Sequence, residues 1–412
     1  MRGVVVIGAG HAGIEAAASL RTGGYAGPVT VVDAEGHLPY QRPPLSKEML
    51  DDQADPTGIS LRPKAFFDDQ RISLCPGPAV EIDRTRQQVR VESGHWVGYD
   101  HLVLATGATP RQFSLPGLGL RGVTELRTFD DALSLRASLA GAKHVVVLGG
   151  GFIGMEVASA ARKRGIDVTV LELADRVLGR VVSQPVSAAV AAHHRADGVR
   201  LCLEERAVEV VGHAGHVTGV RTGSGQLLPA DLLVIGVGAT ADDSLAGRAG
   251  LETDNGVVVD RCLTTSDPRI FAVGDCAAVR DRVTGQLRRL ESIQNATDQG
   301  RYAAARILGW KRSYRAVPWF WSNQGTLRLQ LVDLGGGYDR LVVRGNETRF
   351  SVFRLCDGLL TAVESVNDPG THMAARRLLD RGTPTEAELI LDDFDVRVLA
   401  RRVLSAETAA SA

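Results

Sequence analysis

Two glycine-rich fingerprints constrain this chain more than any other feature. Residues 8–13 read GAGHAG after an apolar run, and residues 149–154 read GGGFIG after a second apolar run. The glycines of such a motif permit a tight turn, close approach of the backbone to a pyrophosphate and close packing of a helix on a strand. The helix that follows offers unpaired N–H groups and a positive dipole end to phosphates. Two fingerprints predict two dinucleotides in one chain, with an electron path between them.

Each fingerprint opens the same strand–helix–strand unit. The first continues with a predicted helix over 14–22 and a strand over 29–32, and the second with a helix over 155–163 and a strand over 167–171. An acidic residue closely follows the second strand in both units. Both stretches have the length of a βαβ motif, which places each fingerprint in the structural context that a dinucleotide requires.

Further apolar strands are predicted to end in small residues: strands 102–104, 232–235 and 270–273, followed by 105–107, 236–238 and 274–275. Ligands on open α/β sheets bind outside the carboxyl ends of such strands. The alternation of strands and helices predicts an α/β fold with two Rossmann-like dinucleotide-binding domains.

The order of these pieces predicts that one dinucleotide domain is split by the other. The first would comprise residues 1–110 and 242–316, and the second would comprise residues 111–241. From about residue 318, strand-like pieces alternate with Gly-rich turns. They predict a C-terminal α+β domain, residues 317–412, that closes on a helix near 389–402.

The composition argues against several function classes. The 412 residues are 44% hydrophobic and 23% charged, with a net charge of −1. A balanced charge gives no signal for nucleic acid or an anionic membrane surface. No apolar run reaches the roughly 20 residues of a membrane helix, and the start of the sequence lacks the pattern of a leader peptide. We expect a cytoplasmic protein, with a monomer as the default.

The cysteines predict no metal or disulfide chemistry. The five residues are scattered and form no C-x-x-C pair: Cys75, Cys202, Cys262, Cys276 and Cys356. A redox-active disulfide, a zinc site and a Cys-ligated iron–sulfur cluster all need closely placed ligands. We expect each cysteine to be a small buried apolar residue.

Glu172 predicts which nicotinamide cofactor the second fingerprint prefers. A carboxylate at the end of this strand accepts hydrogen bonds from ribose hydroxyls and repels a 2′-phosphate. NADH is therefore expected rather than NADPH, although Arg176 and Arg180 lie nearby in sequence and could relax that preference.

Further motifs resemble a known family, and they lie in order along nearly the whole chain. Besides the fingerprints these are PYQRPPLSK (39–47), LATG (104–107), LRT (126–128), TSDPRIFAVGDCA (265–277), the ES-x-x-NA stretch (291–296) and PWFWSNQ (318–324). The set resembles the FAD-dependent, NADH-oxidising ferredoxin reductases of cytochrome P450 and Rieske-type oxygenase systems. The resemblance implies a glutathione-reductase-like arrangement, in which the NAD-binding domain interrupts the FAD-binding domain.

The resemblance also implies site residues. FAD would lie against the first fingerprint and the segments that surround it: Gly8, Gly10, Ala12, Gly13, Asp33, Ala34, Glu35, Arg42, Lys47, Val80, Ala105, Thr106, Gly107, Arg127, Gly274, Asp275, Ile293 and Trp321. NADH would lie against the second: Gly149, Gly151, Phe152, Ile153, Gly154 and Glu172. Either acid after the second strand, Asp33 or Glu35, could bind the adenosine ribose of FAD.

For several of these residues, the chemistry of the side chain itself supports a role at the site. Asp275 ends a predicted strand, where its carboxylate could accept a ribityl hydroxyl or cap a helix. Arg42 and Lys47 flank a stiff Pro-Pro turn and could oppose pyrophosphate charge or stabilise a reduced anionic flavin. Glu156 could pair with Lys47 and so tune the flavin site. The catalytic candidates are Lys47, Glu156 and Trp321.

The implied reaction passes a hydride from NADH to FAD and then single electrons to a small acidic [2Fe-2S] ferredoxin. The cofactors perform this chemistry, and the protein positions them. A basic set could receive the acidic partner or could simply be solvated: Arg288, Arg289, Arg301, Arg306, Lys311, Arg312 and Arg315.

Rival functions share this architecture. A disulfide reductase needs a cysteine pair near the flavin, and a single-cysteine peroxidase or NADH oxidase needs a cysteine within 39–47, which the sequence lacks. A rubredoxin reductase or another NADH-dependent flavin oxidoreductase stays open, as does a flavin-containing redox sensor whose output is binding.

Overall fold

The chain crosses repeatedly between two compact units. In the computed structural model the described residues are 2–280, 285–311, 313–333, 337–380, 395–398 and 400–401. The first unit comprises Met1–Arg42, Asp55–Thr109 and Ala239–Pro318. The second comprises Pro43–Ala54, Pro110–Gly238 and Trp319–Ala412. The predicted three-domain division stays a prediction.

The first unit is built on a seven-stranded sheet of β1 (Gly3–Ile7), β2 (Val29–Asp33), β3 (Ile72–Pro76), β4 (Ala79–Asp83), β5 (Gln88–Val91), β6 (Trp96–Leu104) and β18 (Ile270–Ala272). Strands β3, β2, β1 and β6 lie parallel in that order, and β18 adds to β6. All five residues of β1 are buried. Such an apolar run is typical of a parallel strand covered on both faces.

The other elements of this unit are α1 (His11–Thr22), α2 (Lys64–Asp69), β7 (Ala108–Pro110), β16 (Ala239–Ala241), α6 (Ser244–Arg248), β17 (Val257–Val259), β19 (Ala277–Arg280), β20 (Leu287–Arg289) and α7 (Ile293–Ile307). Short 3₁₀ turns span Pro56–Ile59 and Gly274–Cys276. Helices α1 and α7 pack closely, because a Cβ on Gly300 would lie 2.4 Å from the Ala12 carbonyl oxygen.

The second unit repeats the parallel plan in a five-stranded sheet of order β11-β10-β9-β15-β8. Its elements through residue 238 are β8 (Val123–Glu125), α3 (Phe129–Leu139), β9 (His144–Leu148), α4 (Phe152–Lys163), β10 (Asp167–Leu171), α5 (Gln184–Ala196), β11 (Arg200–Cys202), β12 (Ala207–His213), β13 (His216–Thr222), β14 (Leu227–Pro229) and β15 (Leu232–Ile235). Strands β12, β13 and β14 form a separate antiparallel sheet. Two 3₁₀ turns, Pro43–Ser46 and Glu48–Leu50, also belong to this unit.

The C-terminal part of the second unit is a five-stranded antiparallel sheet of order β21-β22-β25-β24-β23. Its elements are β21 (Trp319–Gln324), β22 (Leu327–Asp333), β23 (Arg340–Gly345), β24 (Phe350–Cys356), β25 (Leu359–Val366) and α8 (Pro369–Asp380). The predicted helix near 389–402 lies mostly outside the described residues.

The structure corrects two details of the prediction. Helices α1 and α4 begin at His11 and Phe152, three residues earlier than expected, because each helix starts inside its fingerprint directly after a glycine. Among the cysteines only Cys276 is buried, and the other four are partly exposed.

Candidate functional site

The first fingerprint folds into a turn that only glycine can form. Gly8 has a φ of +105°, and a Cβ on it would lie 2.2 Å from the Ala105 carbonyl oxygen. A Cβ on Gly13 would lie 2.0 Å from the Gly8 carbonyl oxygen. At Gly10, by contrast, a Cβ would meet no atom within 4 Å. Backbone atoms thus pack tightly against Gly8 and Gly13, whereas the turn is open at Gly10, where a pyrophosphate would approach.

The second fingerprint has nearly the same geometry. Gly149 has a φ of +101°, and its Cβ would lie 2.4 Å from the Gly236 carbonyl oxygen. A Cβ on Gly154 would lie 2.1 Å from the Gly149 oxygen, whereas one on Gly151 would meet nothing within 4 Å. The two turns are structural copies of each other.

Both helix N-termini are suited to bind an anion. Helices α1 and α4 follow Gly10 and Gly151, which have no side chain to cap them, and no acidic residue lies in either first turn. The N–H groups and the positive dipole ends therefore point at the open space above each turn. The residues present fit the diphosphate of a dinucleotide in both units.

Glu172 holds the second fingerprint in place. Its Oε2 accepts the Gly150 N–H at 2.6 Å, and its Oε1 accepts the Ala174 N–H at 2.8 Å. The nearby Arg176 donates to the Gly179 carbonyl oxygen at 2.9 Å. A fixed carboxylate thus lies beside the cradle, at the place where ribose hydroxyls are bound in this kind of motif.

The corresponding segment of the first unit contains an ion pair. Arg42 Nη2 lies 2.5 Å from Glu35 Oε1, and the Tyr40 hydroxyl donates to the other Glu35 oxygen. Asp33 ends β2, and burial together with the charge of Glu35 raises its pKa. Ala34 between them is exposed. The choice between Asp33 and Glu35 for a ribose stays a prediction.

The strand ends of the first unit gather around its fingerprint. A Cβ on Gly274, which follows β18, would lie 3.0 Å from the Ala12 Cβ. The Gly274 N–H donates to Gln299 Oε1 at 2.7 Å. After β6, the Thr106 hydroxyl donates to the Asp242 carbonyl oxygen at 2.5 Å. The segments 105–107 and 274–275 are therefore held at the sheet edge where the sequence placed them, and Gln299 is a supporting residue that the sequence analysis missed.

The expected pair of Lys47 and Glu156 is present in the second unit. Lys47 Nζ lies 2.8 Å from Glu156 Oε2, and the side chain of Glu156 is only 4% exposed. Ser46 Oγ donates to the same oxygen at 2.5 Å. The other oxygen, Oε1, accepts the Ser322 hydroxyl at 2.6 Å. A buried carboxylate needs such partners, and this one has three.

The two tryptophans of β21 lie beside each other with tilted rings. Trp321 is 37% exposed, and its ring centroid lies 5.4 Å from that of Trp319. The Arg376 guanidinium lies 4.1 Å from the Trp319 centroid. Phe152, at the start of α4, packs edge-on against Phe320 at 4.6 Å. Trp321 is thus partly exposed beside a second indole, Trp319, whose own ring lies against a cation.

Of the remaining predicted residues, Val80, Arg127 and Ile293 are partly buried, whereas Ile153 is exposed. Val80 is in β4, and Ile293 opens α7 after the N-cap Ser292. The Arg127 backbone N–H donates to Asp131 Oδ2 at 3.0 Å, directly before α3. Ile153 is 43% exposed at the start of α4. Their cofactor contacts stay predictions.

The described residues contain no cluster of His, Cys, Asp or Glu that could hold a metal, and all five cysteines are free thiols. No helix within the described ranges is long and apolar enough to cross a bilayer. The fold therefore offers two dinucleotide cradles, without a cysteine pair among the thiols.

Some members of the basic set form ion pairs within the protein, and others are exposed. Arg289 pairs with Glu291 at 2.5 Å, and Arg301 pairs with Glu15 at 2.6 Å. Lys311 and Arg315 are exposed, and Arg312 lies outside the described residues.

Comparison with known proteins agrees with this geometry. The family model for the pyridine nucleotide-disulphide oxidoreductases matches residues 2–300, and the model for the reductase C-terminal region matches residues 319–400. Rhodocoxin reductase of Rhodococcus erythropolis is 45% identical over 97% of this chain and 94% of its own length. A rubredoxin-NAD(+) reductase of Pseudomonas putida is 41% identical over 89% of this chain and 96% of its own length.

Two solved structures have the same fold. The ferredoxin reductase for the CYP199A2 system from Rhodopseudomonas palustris has a TM-score of 0.94 and 43% identity, and covers 97% of this chain and 100% of its own. Putidaredoxin reductase in its covalent complex with putidaredoxin has a TM-score of 0.93 and 37% identity, with 99% of both chains covered. These matches confirm the predicted α/β fold, the C-terminal domain and the use of FAD with a nicotinamide cofactor. The chain therefore belongs to the pyridine nucleotide-disulphide oxidoreductase family, and the resemblance to its ferredoxin reductases that the sequence motifs indicate is confirmed.

Proposed function

We propose that this protein carries electrons from NADH through FAD to a small [2Fe-2S] ferredoxin that serves a cytochrome P450 or a Rieske-type oxygenase. The observation that carries the proposal is the pair of matched cradles, each with an open central glycine, Gly10 and Gly151. One cradle suits a resident FAD, and the other suits an exchanging NADH. Bound FAD would accept two electrons as a hydride and release them one at a time.

Some of the site residues bind the two cofactors, and others adjust the charge near the flavin. The N–H groups after Gly10 and Gly151 bind the two diphosphates, and Glu172 accepts the ribose hydroxyls of NADH and disfavours a 2′-phosphate. Lys47 would hold a cation beside the flavin, where its charge would stabilise the reduced form. Glu156 offsets that charge, because its carboxylate lies 2.8 Å from the Lys47 ammonium.

The acceptor is argued from the cysteines and from the relatives. The free thiols give no internal disulfide to reduce, so the electrons leave for another protein. A relative that covers nearly this whole chain is a rhodocoxin reductase, and a solved neighbour is bound covalently to putidaredoxin. The exposed cations Lys311 and Arg315 suit an acidic partner. A monomer in the cytoplasm is part of the same proposal.

Rubredoxin is the second candidate acceptor, because a relative with 41% identity is a rubredoxin-NAD(+) reductase. A redox sensor, whose output is binding, is a third and weaker alternative.

An anaerobic titration tests the proposal. The purified protein should contain FAD, and one equivalent of NADH should bleach it while NADPH should not. The reduced protein should then reduce a [2Fe-2S] ferredoxin faster than a rubredoxin under matched conditions. A colourless protein, or a flavin indifferent to NADH, would refute the function. Faster reduction of rubredoxin would select the second candidate.

A further inference from the structure

A chain of buried polar side chains continues beyond the pair of Lys47 and Glu156. The Ser322 hydroxyl, which donates to Glu156, accepts the Gln324 side-chain amide at 2.8 Å. The Gln324 carbonyl oxygen lies 3.1 Å from His194 Nε2. Ser322, Gln324 and His194 are at most 2% exposed. The chain is thus shielded from water along its length.

All donors in this chain point toward Glu156. Because the Gln324 amide nitrogen donates to Ser322, its carbonyl must accept from His194, so His194 carries its proton on Nε2. Burial lowers the pKa of His194 to about 4, which keeps the ring neutral. Aligned hydrogen bonds polarise one another and strengthen the last bond, here the one to the carboxylate.

The chain joins separate elements of the second unit. Ser322 and Gln324 lie two residues apart in β21, so they point to the same face of the strand. Glu156 is in α4, His194 is in α5, and Lys47 follows the 3₁₀ turn Pro43–Ser46. The C-terminal sheet thereby reaches the carboxylate that pairs with Lys47.

We propose that Ser322, supported by Gln324 and His194, is a positioning residue that fixes the Glu156 carboxylate against Lys47 and so sets the charge presented to FAD. The proposal rests on the proposed function, in which Lys47 lies beside FAD. Glu156 Oε1 has Ser322 as its donor, whereas Oε2 is shared by Ser46 and Lys47. Removing the Ser322 hydroxyl therefore leaves one buried carboxylate oxygen without a hydrogen-bond donor among the described residues and loosens the pair.

The test compares Ser322→Ala with Glu156→Gln by two measurements. The first is the midpoint potential of the bound flavin. The second is the rate at which acetic anhydride acetylates Lys47, followed by peptide mass spectrometry. Lys47 is 23% exposed and borders a cavity of about 360 Å³, so the reagent can reach it. Both measurements report on the contact between Lys47 and Glu156 rather than on folding. The potential follows the net charge of the pair, and the acetylation rate follows how readily the Lys47 amine reacts.

We expect Glu156→Gln to raise the potential, because an unopposed cation favours the reduced flavin, and to speed acetylation of Lys47. Ser322→Ala should move both quantities in the same direction by a smaller amount, with acetylation up to about 10-fold faster, as for a lost hydrogen bond to a charged group. Ser322→Thr keeps the hydroxyl and should restore both. Should Ser322→Ala fold poorly, Gln324→Met should give a weaker shift of the same sign.

Ser365→Ala is the matched control. Ser365 is also a buried serine of the C-terminal sheet, 2.9 Å from Ser351, and among the described residues it has no hydrogen bond to Glu156. If Ser322→Ala lowers the melting temperature as Ser365→Ala does but leaves the potential and the acetylation rate at wild-type values, the positioning role is excluded.

The outcome is separable from that of the proposed function. A wild-type protein that binds no FAD contradicts the function, whereas the acetylation rates of Lys47 in flavin-free protein still decide whether Ser322 holds the ion pair.

Discussion

Gly13 packs so closely on Gly8 that a Cβ at position 13 would lie 2.0 Å from the Gly8 carbonyl oxygen. Gly154 stands in the same relation to Gly149, at 2.1 Å. In both cases the obstructing atom belongs to the backbone and cannot rotate away. The start of each helix therefore rests directly on the turn that precedes it.

Gly13→Ala should destabilise the flavin-free protein. The added methyl group forces α1 away from the turn, and overpacking of this kind costs about 1–3 kcal/mol. The measurement is urea unfolding of protein stripped of FAD. We expect the variant to lose FAD on purification as well, because the displaced helix no longer presents its N–H groups to the diphosphate.

Gly10→Ala is the control for Gly13→Ala, because it should weaken FAD binding without destabilising the protein. Gly10 has a φ of −74°, which alanine adopts readily, and its Cβ would meet no atom within 4 Å. The flavin-free variant should unfold like wild type, yet its affinity for FAD should fall at least about 10-fold, equivalent to about 1.4 kcal/mol. Wild-type FAD affinity in Gly10→Ala would show that the diphosphate lies elsewhere.

Glu172→Gln should weaken the preference for NADH. The amide removes the negative charge that repels a 2′-phosphate while keeping the size of the side chain. The ratio of kcat/KM for NADH to that for NADPH should fall about 10-fold, in line with the loss of one charged hydrogen-bonding group. Steady-state reduction of ferricyanide with each cofactor measures it. An unchanged ratio would assign the discrimination to other residues, and Arg176 would be the next to test.

Acid should destabilise the protein through buried histidines. Burial, together with Arg376 and Arg328, lowers the pKa of His372 to about 4, and its ring is fully buried. In the unfolded chain the same ring titrates near 6.5. Protons therefore favour unfolding, so stability is complete above about pH 6.5 and is lost as the pH falls toward 4. Each such histidine costs about 2 kcal/mol at pH 5 by this linkage.

His372→Phe isolates that contribution. Neither ring nitrogen of His372 has a hydrogen-bond partner among the described residues, so an apolar ring of similar shape suits the site. The variant should match wild type in urea unfolding near pH 7.5 and exceed it by about 2 kcal/mol near pH 5. Equal losses of wild type and variant on acidification would contradict the assignment.

Reversal of charge at Lys311 and Arg315 should slow the reduction of an acidic ferredoxin. Both side chains are exposed. Steered association gains about 10-fold or more at low ionic strength and loses it as salt screens the charges. Stopped-flow rates for Lys311→Glu/Arg315→Glu should converge with wild type at high salt. Arg195→Glu, which reverses an exposed charge in α5, is the control. If that variant slows ferredoxin reduction equally, Lys311 and Arg315 have no specific docking role.

Local patterns made the fold readable from the sequence. The fingerprints, the buried strand β1 and the strand Asp167–Leu171 are each specified by contiguous residues. The helix starts were misjudged, since His11 and Phe152 are weak helix signals next to glycine, and the open turn rather than a capping side chain begins each helix.

The site was harder to predict from the sequence than the fold, because its contacts join residues that are distant in sequence. Lys47 and Glu156 could be paired because both lie in recognisable motifs and carry opposite charges. Ser322 and Gln324 lie two positions apart in the PWFWSNQ motif, and neither was singled out from the sequence. Which carboxylate they reach depends on how the C-terminal sheet packs within the second unit, and no local pattern encodes that.

The pairing of β18 with β6 also has a consequence for synthesis of the protein. Leu102–Leu104 of β6 bind Ile270–Ala272, but the ribosome makes more than a hundred residues between them, including the whole second fingerprint. Until residue 272 emerges, β6 presents an apolar strand without its final neighbour. Such edges invite pairing with other chains. We therefore expect the nascent chain to be most prone to wrong strand pairing at that edge before residue 272 is made.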